Sequence, residues 1–150
     1  HHIIRCRVCG SFTQREQDPC SICTSSNRDR SSICIVEHPQ DVITLEATGA
    51  YQGLFHVLDG VISPLDGIGP EQLNFNKLLS RIKEEGITEV IVATNPTEEG
   101  DTTALYISHV VKDLGVKASR LASGIPVGGD IEYADRITIA RSLRGRTLLD

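Results

Sequence analysis

Glu89-Val90-Ile91-Val92-Ala93-Thr94-Asn95-Pro96-Thr97-Glu98-Glu99-Gly100 is the stretch on which the fold turns. A charge followed by four apolar residues, three of them β-branched, makes a short strand that suits burial on both faces. That is the habit of a parallel sheet. The loop at 94–100 leads into a helical pattern in which Leu105, Ile107, Val110, Val111 and Leu114 form an apolar stripe, ended by Gly115. Strand, short loop and helix in this order are the repeating part of an α/β fold.

The same alternation runs outward in both directions. Upstream, Ser32-Ile33-Cys34-Ile35-Val36-Glu37 is an apolar run closed by a charge. After Pro39, a residue of first helical turns, Val42 and Leu45 follow at helical spacing until Thr48-Gly49. Gly53-Leu54-Phe55-His56-Val57-Leu58 is a second strand, closed by Asp59-Gly60. Ser63-Pro64-Leu65-Asp66-Gly67-Ile68-Gly69-Pro70 is rich in turn residues. A helix with Leu73, Leu78, Leu79 and Ile82 on its buried side stops at Gly86. Downstream, residues 116–122 make a fourth strand, 124–129 a loop and 134–143 a last helix. The expected class is α/β, with a mostly parallel four-stranded sheet and helices on both faces.

Composition agrees with this and excludes several classes. The chain has 150 residues, 39% hydrophobic and 23% charged, which suits one ordinary domain with room for a small satellite. No apolar run reaches the ~18 residues of a membrane span. A net charge of −5 argues against a generic nucleic-acid binder. The charge is uneven, however. The first thirty-odd residues hold Arg5, Arg7, Arg15, Arg28 and Arg30 against Glu16, Asp18 and Asp29, and the rest is acidic. The absence of methionine predicts a piece of a longer chain or a processed one, and His1-His2 read equally as tag or native residues.

The basic head also holds four of the five cysteines. Cys6-x-x-Cys9 and Cys20-x-x-Cys23 are two knuckles whose short spacing aims paired sulfurs at one tetrahedral cation. Gly10 and Asp18-Pro19 supply turns beside them, and Ser11-Phe12-Thr13 suits one strand of a short ribbon. The favoured reading is one structural zinc holding residues 1–30 as a module, ahead of a body at 31–150. Two disulfides and a redox or catalytic role are the alternatives. A reducing, cytoplasmic setting disfavours disulfides, and four thiolates leave a zinc no open position. Cys34, inside an apolar run, reads as a buried inert thiol. Arg5, Arg7, Arg28 and Arg30 are candidates for phosphate contact, or else offset the charge of a tetrathiolate centre.

In a parallel sheet ligands sit beyond the carboxyl ends of the strands. Glu37 ends the first strand, and Glu98, Glu99 and Asp101 follow the third. These carboxylates are able to hold Mg²⁺, or simply to complement a helix N-terminus. Glu37 with the segment Val92 to Gly100 resembles the Toprim domain of topoisomerases, primases and certain nucleases. Catalytic Toprim members carry a glutamate after the first strand and Asp-x-Asp after the third. Asn95 and Thr97 stand at those two aspartate positions, which weakens metal-assisted phosphoryl chemistry.

The Toprim-like body behind a four-cysteine zinc finger is similar to the RecR family of bacterial recombination mediators. The phrases that carry the resemblance are Ile35-Val36-Glu37-x-Pro39-x-Asp41-Val42, His56-Val57-Leu58, Ser63 to Pro70, Ala93-Thr94-Asn95-Pro96-Thr97 and Gly124-Ile125-Pro126-Val127-Gly128-Gly129. The resemblance implies a protein without a chemical step. It implies ring-like dimers or tetramers, RecO and RecF as partners, and placement of RecA on single-stranded DNA. It implies a structural role for zinc on Cys6, Cys9, Cys20 and Cys23, and subunit contact through the last segment. It also implies a helix-hairpin-helix segment ahead of the zinc finger, with DNA bound only weakly without it. Glu37, Glu98, Glu99 and Asp101 then read as an acidic edge for a partner, with Mg²⁺ second. The rival reading is a metal-dependent Toprim nuclease or primase-like enzyme.

Overall fold

The structure is a computed structural model in which residues 2–149 are described; His1, half of the terminal pair noted above, lies outside them. The chain divides into two compact units, one through Arg120 and one from Leu121. The first opens with an antiparallel ribbon, β1 (Ile3–Arg5) and β2 (Phe12–Gln14), and the single turn α1 (Ser21–Thr24). There follow β3 (Asp29–Val36), α2 (Pro39–Glu46), β4 (Gly53–Val57), α3 (Phe75–Glu85), β5 (Glu89–Val92), α4 (Glu98–Lys112) and β6 (Lys117–Arg120).

The four later strands form one parallel sheet in the order β4-β3-β5-β6. Right-handed crossovers then place α2 on one face and α3 and α4 on the other. Packing follows that rule. Cys34, Val36, Phe55 and Val57 meet Val42 on the α2 side, while Ile33, Ile35, Leu54, Val90 and Val92 meet Leu78, Ile82, Ile107 and Val111 on the opposite side. β3 lies inside the sheet, and residues 33–36, where both faces are covered, are continuously apolar.

β4 is an edge strand, yet its outward backbone groups are used. Arg28 donates to the Gly53 carbonyl through Nε (3.0 Å) and Nη2 (2.7 Å). Arg81 Nη1 donates to the Phe55 carbonyl (2.7 Å), and Asn74 Nδ2 to that of Val57 (3.0 Å). The Val57 N–H in turn donates to the Cys9 carbonyl (2.8 Å), which ties the cysteine knuckle to the sheet.

Two expectations change. The fourth strand is confined to Lys117–Arg120 and all four residues are exposed, since β5 alone borders it. The helix after β5 starts at Glu98, inside the expected loop, because the Thr97 side chain accepts the Gly100 N–H (2.9 Å) and caps it. Its buried face is Gly100, Thr103, Ala104, Ile107 and Val111, and Leu105 is 60% exposed.

The second unit contains a single turn at Ile131–Tyr133 and α5 (Arg136–Arg144). The Asp135 carboxylate accepts the Thr138 N–H (2.7 Å), which caps α5 and holds the Asp135 pKa below the usual range. α5 buries none of its residues, and Ile137 and Leu143 are exposed.

Candidate functional site

The ribbon turn and α1 carry the four head cysteines to one point. Their sulfurs all lie within 4.8 Å of one another, and all four residues are buried. Cys9 and Cys20 are 3.6 Å apart and Cys6 and Cys23 3.9 Å. Four sulfurs at a Zn–S length of ~2.3 Å in a tetrahedron lie ~3.8 Å apart, which those two spacings match, so the quartet suits a tetrahedral cation. Each knuckle turns backbone N–H groups onto sulfur. Val8 and Cys20 donate to Cys6 (3.4 and 3.2 Å) and Ser11 to Cys9 (3.4 Å), as thiolates require.

With protons alone the cluster shares negative charge unevenly. Hydrogen bonds from Cys23 and Cys9 hold the Cys20 thiol down, whereas its hydrogen bond to Cys20 keeps the Cys9 thiol up. A divalent cation would replace those shared protons. Gly10 completes the knuckle at φ +86°, a left-handed conformation that favours glycine. A Cβ there would lie 3.1 Å from Val57 Cβ, so this glycine also permits the close seat on β4. Cys34 lies apart in the α2-side core, where burial pushes its thiol up to about 12.

The candidate arginines are placed differently from one another. Arg28 is bidentate to Glu46 (2.7 and 3.0 Å) and bound to Gly53, so its guanidinium is fully engaged inside the fold. Arg30 reaches the carbonyls of Cys23 (2.9 Å) and Ser25 (3.3 Å) and the Glu85 carboxylate (3.4 Å). Arg5 pairs with Asp59 and lies over the Phe12 ring. The Arg7 side chain is exposed; its backbone N–H donates to Asp18 (2.9 Å) and its carbonyl accepts from Lys77.

At the carboxyl end of the sheet, Glu37 is buried at 7% exposure, and its Oε2 accepts the Asn95 N–H (2.7 Å). The loop after β5 is thereby latched to the end of β3. Gly100 lets the loop close: a Cβ on it would lie 2.0 Å from the Asn95 carbonyl oxygen. Glu98 and Glu99 are exposed, and Asp101 pairs with Arg120 (2.6 Å). Among the described residues, the cysteine quartet alone gathers three or more metal-ligating side chains within reach of one ion. The four carboxylates are not brought together in that way.

A buried network next to this edge gave no sequence signal beyond a histidine in an apolar strand. His56 Nε2 lies 2.9 Å from the Asn74 carbonyl and must donate to it, which leaves Nδ1 to accept from Arg81 Nη1 (3.1 Å). Burial, and then the Arg81 charge, lowers its pKa to about 4. Arg81 also binds Glu85 (3.2 Å).

Comparison with known proteins adds the lineage. Residues 31–122 match the family model described as Toprim domain, and residues 124–147 match the one described as RecR, C-terminal. The chain is similar to Recombination protein RecR of Treponema denticola, at 62% identity over 94% of this chain and 71% of that protein. It is similar to the proteins of that name from Chlorobium luteolum, at 53% over 97% and 72%, and Moorella thermoacetica, at 54% over 98% and 73%. With the four-cysteine centre ahead of a Toprim sheet, the chain belongs to the RecR family of recombination proteins.

Proposed function

We propose that this chain is a non-enzymatic recombination mediator acting in DNA repair. It assembles into a ring-like oligomer and works with RecO- and RecF-type partners to load RecA on single-stranded DNA in the cytoplasm. The observation that carries the reading is the 62% identity to a protein named Recombination protein RecR across 94% of the chain. The carboxyl end of the sheet supports the absence of chemistry. Asn95 and Thr97 stand where metal-dependent Toprim enzymes carry aspartates, and the Glu37 carboxylate is engaged by a backbone N–H.

Cys6, Cys9, Cys20 and Cys23 hold one structural zinc, which supplies a rigid cross-link to residues 1–30 and no reactive water. Glu98 and Glu99, beside the latched Glu37, give a partner an acidic surface, for which a basic patch is the complement. The Toprim body runs on from residue 31, and the segment beyond it serves assembly, where exposed Ile137 and Leu143 offer apolar area. DNA contact by the head is weak and falls to Arg7 more than to Arg28, whose charge is already paired.

The deciding experiment is light scattering of the purified chain with and without a RecO-type protein, run beside a DNA cleavage assay in Mg²⁺. The expected result is a joint species that Glu98→Lys/Glu99→Lys weakens, with no cleavage. Mg²⁺-dependent cleavage abolished by Glu37→Gln would overturn the reading in favour of an enzyme. Zinc below half an equivalent in reduced protein would sink the metal assignment.

A further inference from the structure

The backbone groups around the cysteine quartet follow one pattern. Among the described residues, three N–H groups donate to its sulfurs, from Val8 (3.4 Å), Ser11 (3.4 Å) and Cys20 (3.2 Å). Each belongs to a peptide unit whose carbonyl, contributed by the preceding residue, takes a side-chain donor on its other side. Lys77 Nζ donates to the Arg7 carbonyl, Arg5 Nε to that of Gly10, and Gln17 Nε2 to that of Pro19 (3.5 Å). Two of these three donors are cations, and Lys77 comes from α3, outside the head.

Arg30 breaks the pattern. It donates to the Cys23 carbonyl (2.9 Å), but the N–H of that peptide unit, on Thr24, donates to the Cys20 carbonyl (3.1 Å) and not to sulfur.

A donor on a carbonyl polarises the whole peptide group and makes its N–H a stronger donor. A thiolate bound to a metal keeps negative charge. A stronger N–H draws on that charge and leaves the sulfur less ready to take a proton and release the ion. Asp59 pairs with Arg5 and offsets part of its charge, so what acts is the donor's place on the carbonyl rather than the net charge of the head.

We propose that Lys77 and Arg5 are positioning residues for the metal, acting on the Cys6 and Cys9 sulfurs through the peptide units 7–8 and 10–11. The α3 lysine then makes the hold on the ion depend on the Toprim body as well as on the four ligands. This role rests on the four-cysteine metal site and is independent of the mediator function.

The test compares Lys77→Met, Lys77→Arg, Arg5→Met and Arg30→Met in the purified, reduced chain loaded with zinc or with cobalt(II). The sulfur-to-cobalt charge-transfer band reads the charge left on the thiolates. Lys77→Met and Arg5→Met are expected to move it to longer wavelength and to speed zinc loss to an excess of a chromogenic chelator by about threefold or more. Lys77→Arg is expected to restore both. Arg30→Met is expected to leave the band in place even where zinc leaves faster. Lys77 is exposed, so its variants keep the fold, which an unchanged circular dichroism spectrum checks. Should Arg5→Met misfold through loss of its Asp59 pair, the Lys77 variants decide the matter alone. Cobalt bound with an unmoved band in Lys77→Met, or an equal shift in Arg30→Met, overturns the proposal. A chain that takes up neither ion overturns the metal site itself, and this role with it.

Discussion

His56 shows how one buried side chain can be fixed by what surrounds it. A carbonyl on one ring nitrogen and a guanidinium on the other leave only the neutral Nε2–H form, and a second proton would face Arg81. An unfolded histidine takes its proton near pH ~6.5. In the folded chain, burial first and the Arg81 charge second lower that to about 4. Between these limits the unfolded state holds the extra proton. Stability from this group is therefore complete above ~6.5 and drains away as pH falls toward about 4, at a slope of roughly 1.4 kcal/mol per pH unit. Urea unfolding across this window is expected to show a steeper acid loss in the native protein than in His56→Gln. Parallel curves would mean that His56 does not set the acid limb.

Among the elements, α4 carries the most specific consequence. Alanine in place of a helical glycine ordinarily stabilises, by up to ~1 kcal/mol. At Gly100 the sign should reverse, because the new Cβ meets the Asn95 carbonyl at 2.0 Å and the latch on Glu37 must shift. Gly100→Ala is expected to cost ~1–3 kcal/mol in a denaturant melt, and a gain would show that the loop gives way freely. The same helix marks where the sequence stops being legible. β3, β4 and β5 were readable because burial on two faces leaves a continuous apolar run, and the cysteine quartet because knuckle spacing alone converges the sulfurs. The first turn of α4 buries glycine, threonine and alanine, which make no periodic apolar signal, so the pattern suggested a later start and a buried Leu105. The fourth strand was legible over 116–122, but Lys-Ala-Ser-Arg has no apolar face to mark its ends, and the strand is confined to Lys117–Arg120. That Arg28 is already paired with Glu46 follows from a contact across the fold, which spacing along the chain does not encode.

At the scale of the molecule, the cysteine head is not an appendage to the sheet. It closes part of the β4 edge through the Cys9 carbonyl and stands on Val57 through Gly10. Stripping the metal with a chelator under reducing conditions is therefore expected to lower the melting temperature by more than ~5 °C. The Val57 amide should lose protection from exchange at the same time. An unchanged Val57 amide would show that the knuckle holds its seat without a cation. The seat has a further consequence during synthesis. A ribosome releases both knuckles before it makes the strand on which they rest, so the nascent head must keep four thiols unreacted while the residues between Cys23 and Val57 are still being added. For that interval the thiols lack the burial and backbone shielding of the finished protein. Oxidants and competing metals therefore have their best access to this centre before the chain is complete.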